Sequence, residues 1–122
     1  MKTSYDLMME MSKSDHNELE SRLSTVVQHM LKLDHLPHLL SYNSRIWQNT
    51  IGRERGVILD LLDNRKPGLK PQLTQELVNK AYKVARAKVS AEFPRPGYHA
   101  TCPYSLEEVV GSDVFSLLKN FQ

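Results

Sequence analysis

Residues 44–73, SRIWQNTIGRERGVILDLLDNRKPGLKPQL, decide the fold of this chain. Trp47, Ile51, Ile58, Leu61 and Leu62 recur at helical spacing, Pro67-Gly68 breaks the pattern, and Leu69 and Leu73 resume it. The stretch reads as one amphipathic helix, a hard stop and the start of another helix. It fixes an all-helical fold and names no chemistry.

Upstream, Leu19, Leu23, Val26, Val27, Met30 and Leu31 form one continuous apolar stripe. Ser14 or Asp15 offers a cap at its start, and Pro37 ends it by disfavouring helical geometry at the preceding residue. Leu7, Met8 and Met11 give a separate short N-terminal helix an apolar face. Ser44 is the expected cap of the second long helix, which runs to about Leu62. Gly52 and Gly56 lie four apart inside it, where they either admit another helix closely or mark solvent positions of poor helix propensity.

Downstream, a third helix is expected from about Lys70 to Ala91. Pro71 suits its first turn, and Leu73, Leu77, Ala81, Val84, Ala85 and Lys88 line one side. Phe93-Pro94-Arg95-Pro96-Gly97 is a non-helical return strap. Ser105-Leu106-Glu107-Glu108 is a capping box before Val109 and Val110, and Gly111 is a natural stop. Val114, Phe115, Leu117, Leu118 and Phe121 make a tail too apolar for water, which must pack on the bundle or on a partner. No period-two run of β-branched residues interrupts this pattern. The expectation is an all-α fold: one domain over residues 1–122, a small antiparallel bundle of three long helices with short N- and C-terminal helices.

A chain of 122 residues is long enough for one core and too short for two. With 40% apolar and 25% charged residues it is not a disordered polymer. No apolar run approaches the roughly 20 residues of a membrane span, and no secretory signal opens the sequence. Cys102 is the single cysteine, so no internal disulfide forms, and a cytoplasmic protein with no membrane partner is expected. The net charge of +2 is unevenly spread: residues 45–100 carry eleven Lys/Arg against five Asp/Glu, and both flanks are acidic. An anionic partner, or the acidic ends folding back, would each use that charge.

Several landmarks occur together in order: LESRLSTVVQHMLKL, SRIWQNTIGRERGVILDLL, PGLKPQL, KAYKVARAKV and CPYSLEEVV. The series resembles the bacterial family catalogued as domain of unknown function 29, over most of the chain from about Asp15 to Phe115. The resemblance implies a small all-helical bacterial protein with no established biochemical role. Trp47, Ile51, Arg55 and Ile58 fall on the family's Trp, Ile, Arg and Ile, and Cys102-Pro103-Tyr104 on its Cys-Pro-Tyr. The N-terminal segment is shorter than is typical of the family. Gly52 and Gly56 replace better helix formers, and Arg53 stands where an acidic residue is common.

Candidate chemistry is sparse. His29, His35 and His38, with His99 and Cys102, lack the four tightly spaced ligands of a structural zinc site, so no metal or other cofactor is expected. Cys102 follows His99 by three residues, but packing beside Pro103 is the expected role of its thiol. Glu54 falls on the apolar stripe between Ile51 and Ile58, where a carboxylate must pair, snorkel or take up a proton; Arg22 is its expected partner. Trp47 is expected to anchor the bundle.

These residues contain no catalytic constellation, so the expected role is a non-catalytic protein-protein interaction module rather than an enzyme. Its partner would be another protein or a second copy of the chain. The alternative is an electrostatic nucleic-acid binder built on the basic segment 45–100, with Arg45, Arg53, Lys80, Lys83 and Arg86 turned toward phosphates.

Overall fold

A computed structural model describes the backbone of residues 4–121 and the side chains of residues 13–119. All regular structure among the described residues is helical. Helix α1 spans Ser4–His35, α2 Leu40–Asp60, α3 Gln75–Glu92, α4 Leu106–Val110 and α5 Ser112–Phe121.

The expected break before Ser14 does not occur. Helix α1 continues through it for 32 residues, so the separate N-terminal helix and the Ser14 or Asp15 cap are both corrected. Asp15 instead faces Lys66 at 3.7 Å, and three residues on, Glu18 faces Arg65 at 3.5 Å. Both carboxylates lie on the face of α1 that meets the end of α2, and this gives them partners that a helix start would not. Leu7, Met8 and Met11 lie in α1, with side chains outside the described residues.

Pro37 stops α1 as expected, but the chain re-enters helix at once. Pro37–Leu39 form a 3₁₀ turn that feeds α2 at Leu40, four residues before Ser44, and no side chain caps the entry. The proline supplies the fixed φ of a first helical turn, so the cap sought at Ser44 is unnecessary. At its far end α2 loosens into a π turn over Leu61–Arg65, closed by Lys66 N donating to Leu61 O at 2.6 Å. Lys66 is kept out of helical geometry (φ −140°, ψ 67°) by the next residue, Pro67.

The third helix also begins later than expected. Residues Pro67–Gln72 form a 3₁₀ segment that contains Pro71, Leu73 is extended, and Thr74 caps α3 by accepting from Leu77 N at 3.2 Å. The two prolines keep this stretch out of α geometry, so the helical spacing of Leu69 and Leu73 continues no single helix.

Helix α1 is the hub. Helices α2 and α3 each pack along it, and neither packs extensively on the other. Leu19, Leu23, Val26, Val27 and Leu31 of α1 are fully enclosed between Ile51, Ile58, Leu61 and Leu62 on one side and Leu77, Val78, Ala81, Tyr82, Ala85 and Val89 on the other. The face assigned to α3 is corrected accordingly: Val84 is 42% exposed and Lys88 is exposed, whereas Val78, Tyr82 and Val89 are buried. Burying Tyr82 turns that face, because its hydroxyl must reach a partner, the His99 carbonyl.

The capping box at Ser105 forms in full and Gly111 ends α4 at φ +86°. Val114 and Leu118 of α5 are buried and Phe115 and Leu117 pack against the same core. Within residues 13–119 the apolar tail therefore packs on the chain's own helices, with Phe115 and Leu117 only partly buried; the Phe121 side chain lies outside the described residues.

Candidate functional site

Three pieces of chain remote in sequence converge on one cleft: the last turns of α1, the middle of α2 and the segment 104–108. Met30, Leu33 and Ile51 form its apolar floor, Asp34, Gln48 and Glu108 its rim, and Tyr104 and Arg55 its walls, around about 350 Å³. Ile51, Arg55 and Tyr104 share this cleft although Tyr104 lies about 50 residues from the other two in sequence.

Each polar wall is held by the protein itself. The Tyr104 hydroxyl donates to Asp34 Oδ2 at 2.5 Å, and burial, reinforced by that carboxylate, pushes the phenol well above its ordinary pKa. Arg55 donates from Nε to the Val109 carbonyl at 3.0 Å and from Nη2 to the Glu108 carbonyl at 2.5 Å. The last carbonyls of a helix have no intrahelical donor, and Arg55 supplies them for α4 with a cation at the negative end of the helix. Burial holds the guanidinium below its ordinary pKa. The Glu108 carboxylate accepts from Ser105 N at 3.0 Å, which lowers its pKa. Gln75, at the start of α3, accepts from Leu106 N at 2.7 Å and donates to the Tyr104 carbonyl at 3.0 Å, so the segment is fixed from both sides.

Glu54 lies where its position on the stripe requires, 6% exposed, and Arg22 of α1 is its partner: Nη1 lies 3.2 Å from Oε2 and 3.4 Å from Oε1. Trp47 is buried near the start of α2. The sequence reading missed what lies against it. The Lys32 ammonium sits 5.9 Å from the ring centres of both Trp47 and Phe93 and 3.7 Å from Glu92, with only 14% of the side chain exposed. A lysine inside the helical stripe carries no sequence mark of a cation-π role, since both rings arrive from other elements.

The histidines are dispersed. His16 donates from Nδ1 to Gln72 Oε1 at 2.7 Å, His29 from Nδ1 to the Thr25 carbonyl at 2.8 Å, and His38 is exposed. His35 and His99 do approach, with ring centres 6.2 Å apart, and Tyr98 lies 4.9 Å from His35. Burial lowers the His35 pKa, and Arg95 and His99 lower it further against the pull of Asp34. Among the described residues no group of three or more His, Cys, Asp or Glu side chains converges as metal ligands would. The Cys102 thiol is half-buried, contacts the Tyr104 carbonyl at 3.4 Å and has its pKa raised by burial.

The five residues of the basic alternative are split. Arg45 and Arg53 are exposed on α2, Lys80 and Lys83 on α3, and Arg86 donates to the His99 carbonyl at 3.2 Å. That carbonyl also accepts from Tyr82, while the Tyr98 hydroxyl holds the Phe93 carbonyl at 2.8 Å. Arg86 thus helps to clamp the strap after α3.

Arg55 and Tyr104 are among the residues on which the family resemblance rests, and both walls of the cleft are built from them. The family model described as domain of unknown function DUF29 matches residues 6–115. The chain belongs to this family. No curated protein and no solved structure matches it. Membership of DUF29 brings no assigned chemistry, so the chemistry must come from the surface.

Among the described residues of this DUF29 chain, the two most exposed large apolar side chains lie together on the outer side of α2. Tyr42 is 85% exposed and Ile46, one turn later, 61% exposed. Arg45, Asn49, Arg53, Gly56 and Asp60 continue the same exposed side. A Cβ added at Gly52 or Gly56 would meet nothing within 4 Å, and both glycines line a cleft of about 300 Å³ beside the α4–α5 corner at Val110–Val114. No helix among the described residues is long and apolar enough to cross a membrane.

Proposed function

We propose that this DUF29 chain is a non-catalytic protein-interaction module that meets its partner through the outer face of α2. The observation that carries the reading is the placement of Tyr42 and Ile46, largely exposed on adjacent turns of a helix whose opposite face is fully used by the core. Burying such side chains is favourable by about 25 cal/mol per Å², and Tyr and Arg are the residues on which protein interfaces most often turn. Arg45 and Arg53 flank them without an intramolecular ion pair among the described residues, whereas Arg22, Lys32, Arg65 and Lys66 are all paired. The cleft supports the non-catalytic part of the reading. Its Tyr104, Arg55 and Glu108 are committed to positioning α4, and the nearby Cys102 thiol is held toward its unreactive, protonated form. A cytoplasmic setting fits a lone free cysteine.

Affinity capture from native lysate with the wild-type chain and with the double variant Tyr42→Asp/Ile46→Asp tests this. Proteins retained by the wild type should be lost by the variant while its helical circular-dichroism signal is unchanged. Identical retention by both chains overturns the reading. The competing nucleic-acid reading draws on the exposed Arg45, Arg53, Lys80 and Lys83. It requires a gel shift that weakens steeply with salt, and no retardation at low salt eliminates it.

A further inference from the structure

Tyr42, Ile46, Asn49, Arg53, Gly56 and Asp60 follow one another in alternating steps of four and three, all exposed, and so make one stripe along α2. Its two ends differ in chemistry. The N-terminal end is bulky and cationic, with no carboxylate anywhere between Asp34 and Glu54. The C-terminal end is small and acidic: Gly56, with open space where a Cβ would stand, then Asp60.

We propose that this stripe is a two-fold interface between two copies of the chain, with the α2 helices antiparallel. Ile46 of each copy seats on Gly56 of the other, the Tyr42 hydroxyl meets the Asp60 carboxylate, and the Asn49 amide lies beside Arg53. The inference rests on the protein-interaction reading above and identifies the partner as a second copy.

Size, charge and helix propensity agree on this pairing. Laid antiparallel about a point near Ile51, the stripe maps onto itself, as an isologous contact requires. Every bulky residue then meets a small or polar one, and no two like charges stand directly opposite each other, Arg53 facing the Asn49 amide. A parallel pairing would set Arg53 on Arg53 and Asp60 on Asp60 and leave Gly56 facing Gly56. Glycine is the poorest helix former after proline, and nothing in the chain itself packs on Gly56 to compensate. The Asp60 carboxylate is steadied within its own copy by Arg65 at 3.3 Å and Asn64 at 2.9 Å and still has room to accept from a tyrosine. An acidic peptide, a nucleic acid or an anionic lipid surface would use Arg45 and Arg53 but would leave Gly56 without a role.

Sedimentation velocity on the full chain, from about 1 µM to about 1 mM, is the direct test. The expected result is a concentration-dependent passage from the 14.0 kDa monomer to a species of twice that mass. Ile46→Glu should keep its helical signal and weaken the dimer at least about tenfold. Gly56→Leu should raise the unfolding temperature measured at monomeric dilution yet weaken the dimer, a pairing of opposite effects that general destabilisation cannot produce. In a Cys102→Ser background, Ile46→Cys protein mixed with Gly56→Cys protein should form a mixed disulfide on mild oxidation, faster than Ile46→Cys with itself. A single 14.0 kDa species throughout overturns the proposal, as does a dimer indifferent to Ile46→Glu or a preference for the Ile46→Cys self-pair. Such a failure leaves the capture experiment with the Tyr42→Asp/Ile46→Asp chain to decide independently whether α2 receives a different protein.

Discussion

Arg55 and Gly111 are shaped to each other: an added Cβ at Gly111 would stand 3.1 Å from Arg55 Cδ, and the same arginine holds the carbonyls of Glu108 and Val109 just before it. Gly111 also has φ +86°, in the region L side chains avoid. Gly111→Ala therefore combines backbone strain with a tight contact and should cost about 1–3 kcal/mol in urea unfolding. Arg55→Lys keeps the charge but loses the forked pair of donors, and a cost of about 1–2 kcal/mol is expected. Wild-type stability in either variant would show that α4 is not held by this clasp.

Tyr104 gives the protein a specific alkaline weakness. Its folded-state pKa is raised by burial and by Asp34, so ionisation favours the unfolded chain. The stability it contributes is complete below the ordinary phenol pKa near 10 and is lost as pH rises above it. Tyr104→Phe should be less stable at pH 7 and should flatten the decline measured from pH 10 upward. Part of the decline should remain, because burial raises Tyr82 and Tyr98 as well.

The Arg22–Glu54 pair is asymmetric, with the carboxylate buried and the guanidinium half in solvent. Arg22→Leu leaves a buried charge without its partner and should cost about 1–3 kcal/mol, less than a fully enclosed pair would. The double variant Arg22→Leu/Glu54→Leu should recover much of that loss. A double-mutant cycle in chemical denaturation measures the coupling, and additive losses would show the pair to be energetically idle.

Cys102 should be sluggish toward electrophiles. Burial raises its pKa, so less thiolate is present at pH 8 than in a free thiol. Iodoacetamide labelling of the folded chain is expected to be at least about tenfold slower than in denaturant. Equal rates would place the thiol in solvent.

Gly52 has open space around its missing Cβ and lies just off the proposed self-contact. Gly52→Ala should stabilise the chain by up to about 1 kcal/mol through helix propensity alone. A loss of stability there would reveal a packing role that the surroundings of Gly52 do not show.

Particular residues show how far the sequence reached. The Ser105 capping box, the Gly111 stop and the buried stripe of α1 were legible because each depends on neighbours within about one or two helical turns. Glu54 was legible because a carboxylate on an apolar stripe demands a cation, and Arg22 was at hand. The candidate site was far less so. Nothing near Arg55 announces that its donors end on carbonyls of Glu108 and Val109, and nothing near Lys32 announces Trp47 and Phe93.

The sequence by itself determined that the chain is helical, where Pro37, Pro67 and Gly111 interrupt it, and which stripe of α1 avoids water, since spacing and backbone chemistry are local properties. Tertiary structure decided that α1 is the shared core of the bundle, that α3 presents Tyr82 rather than Val84 inward, and that Tyr42 and Ile46 stay outside. These choices depend on how whole faces fill one another's volume and where each buried hydroxyl, carboxylate and guanidinium finds its partner. Such long-range matches leave no periodic trace in the order of residues.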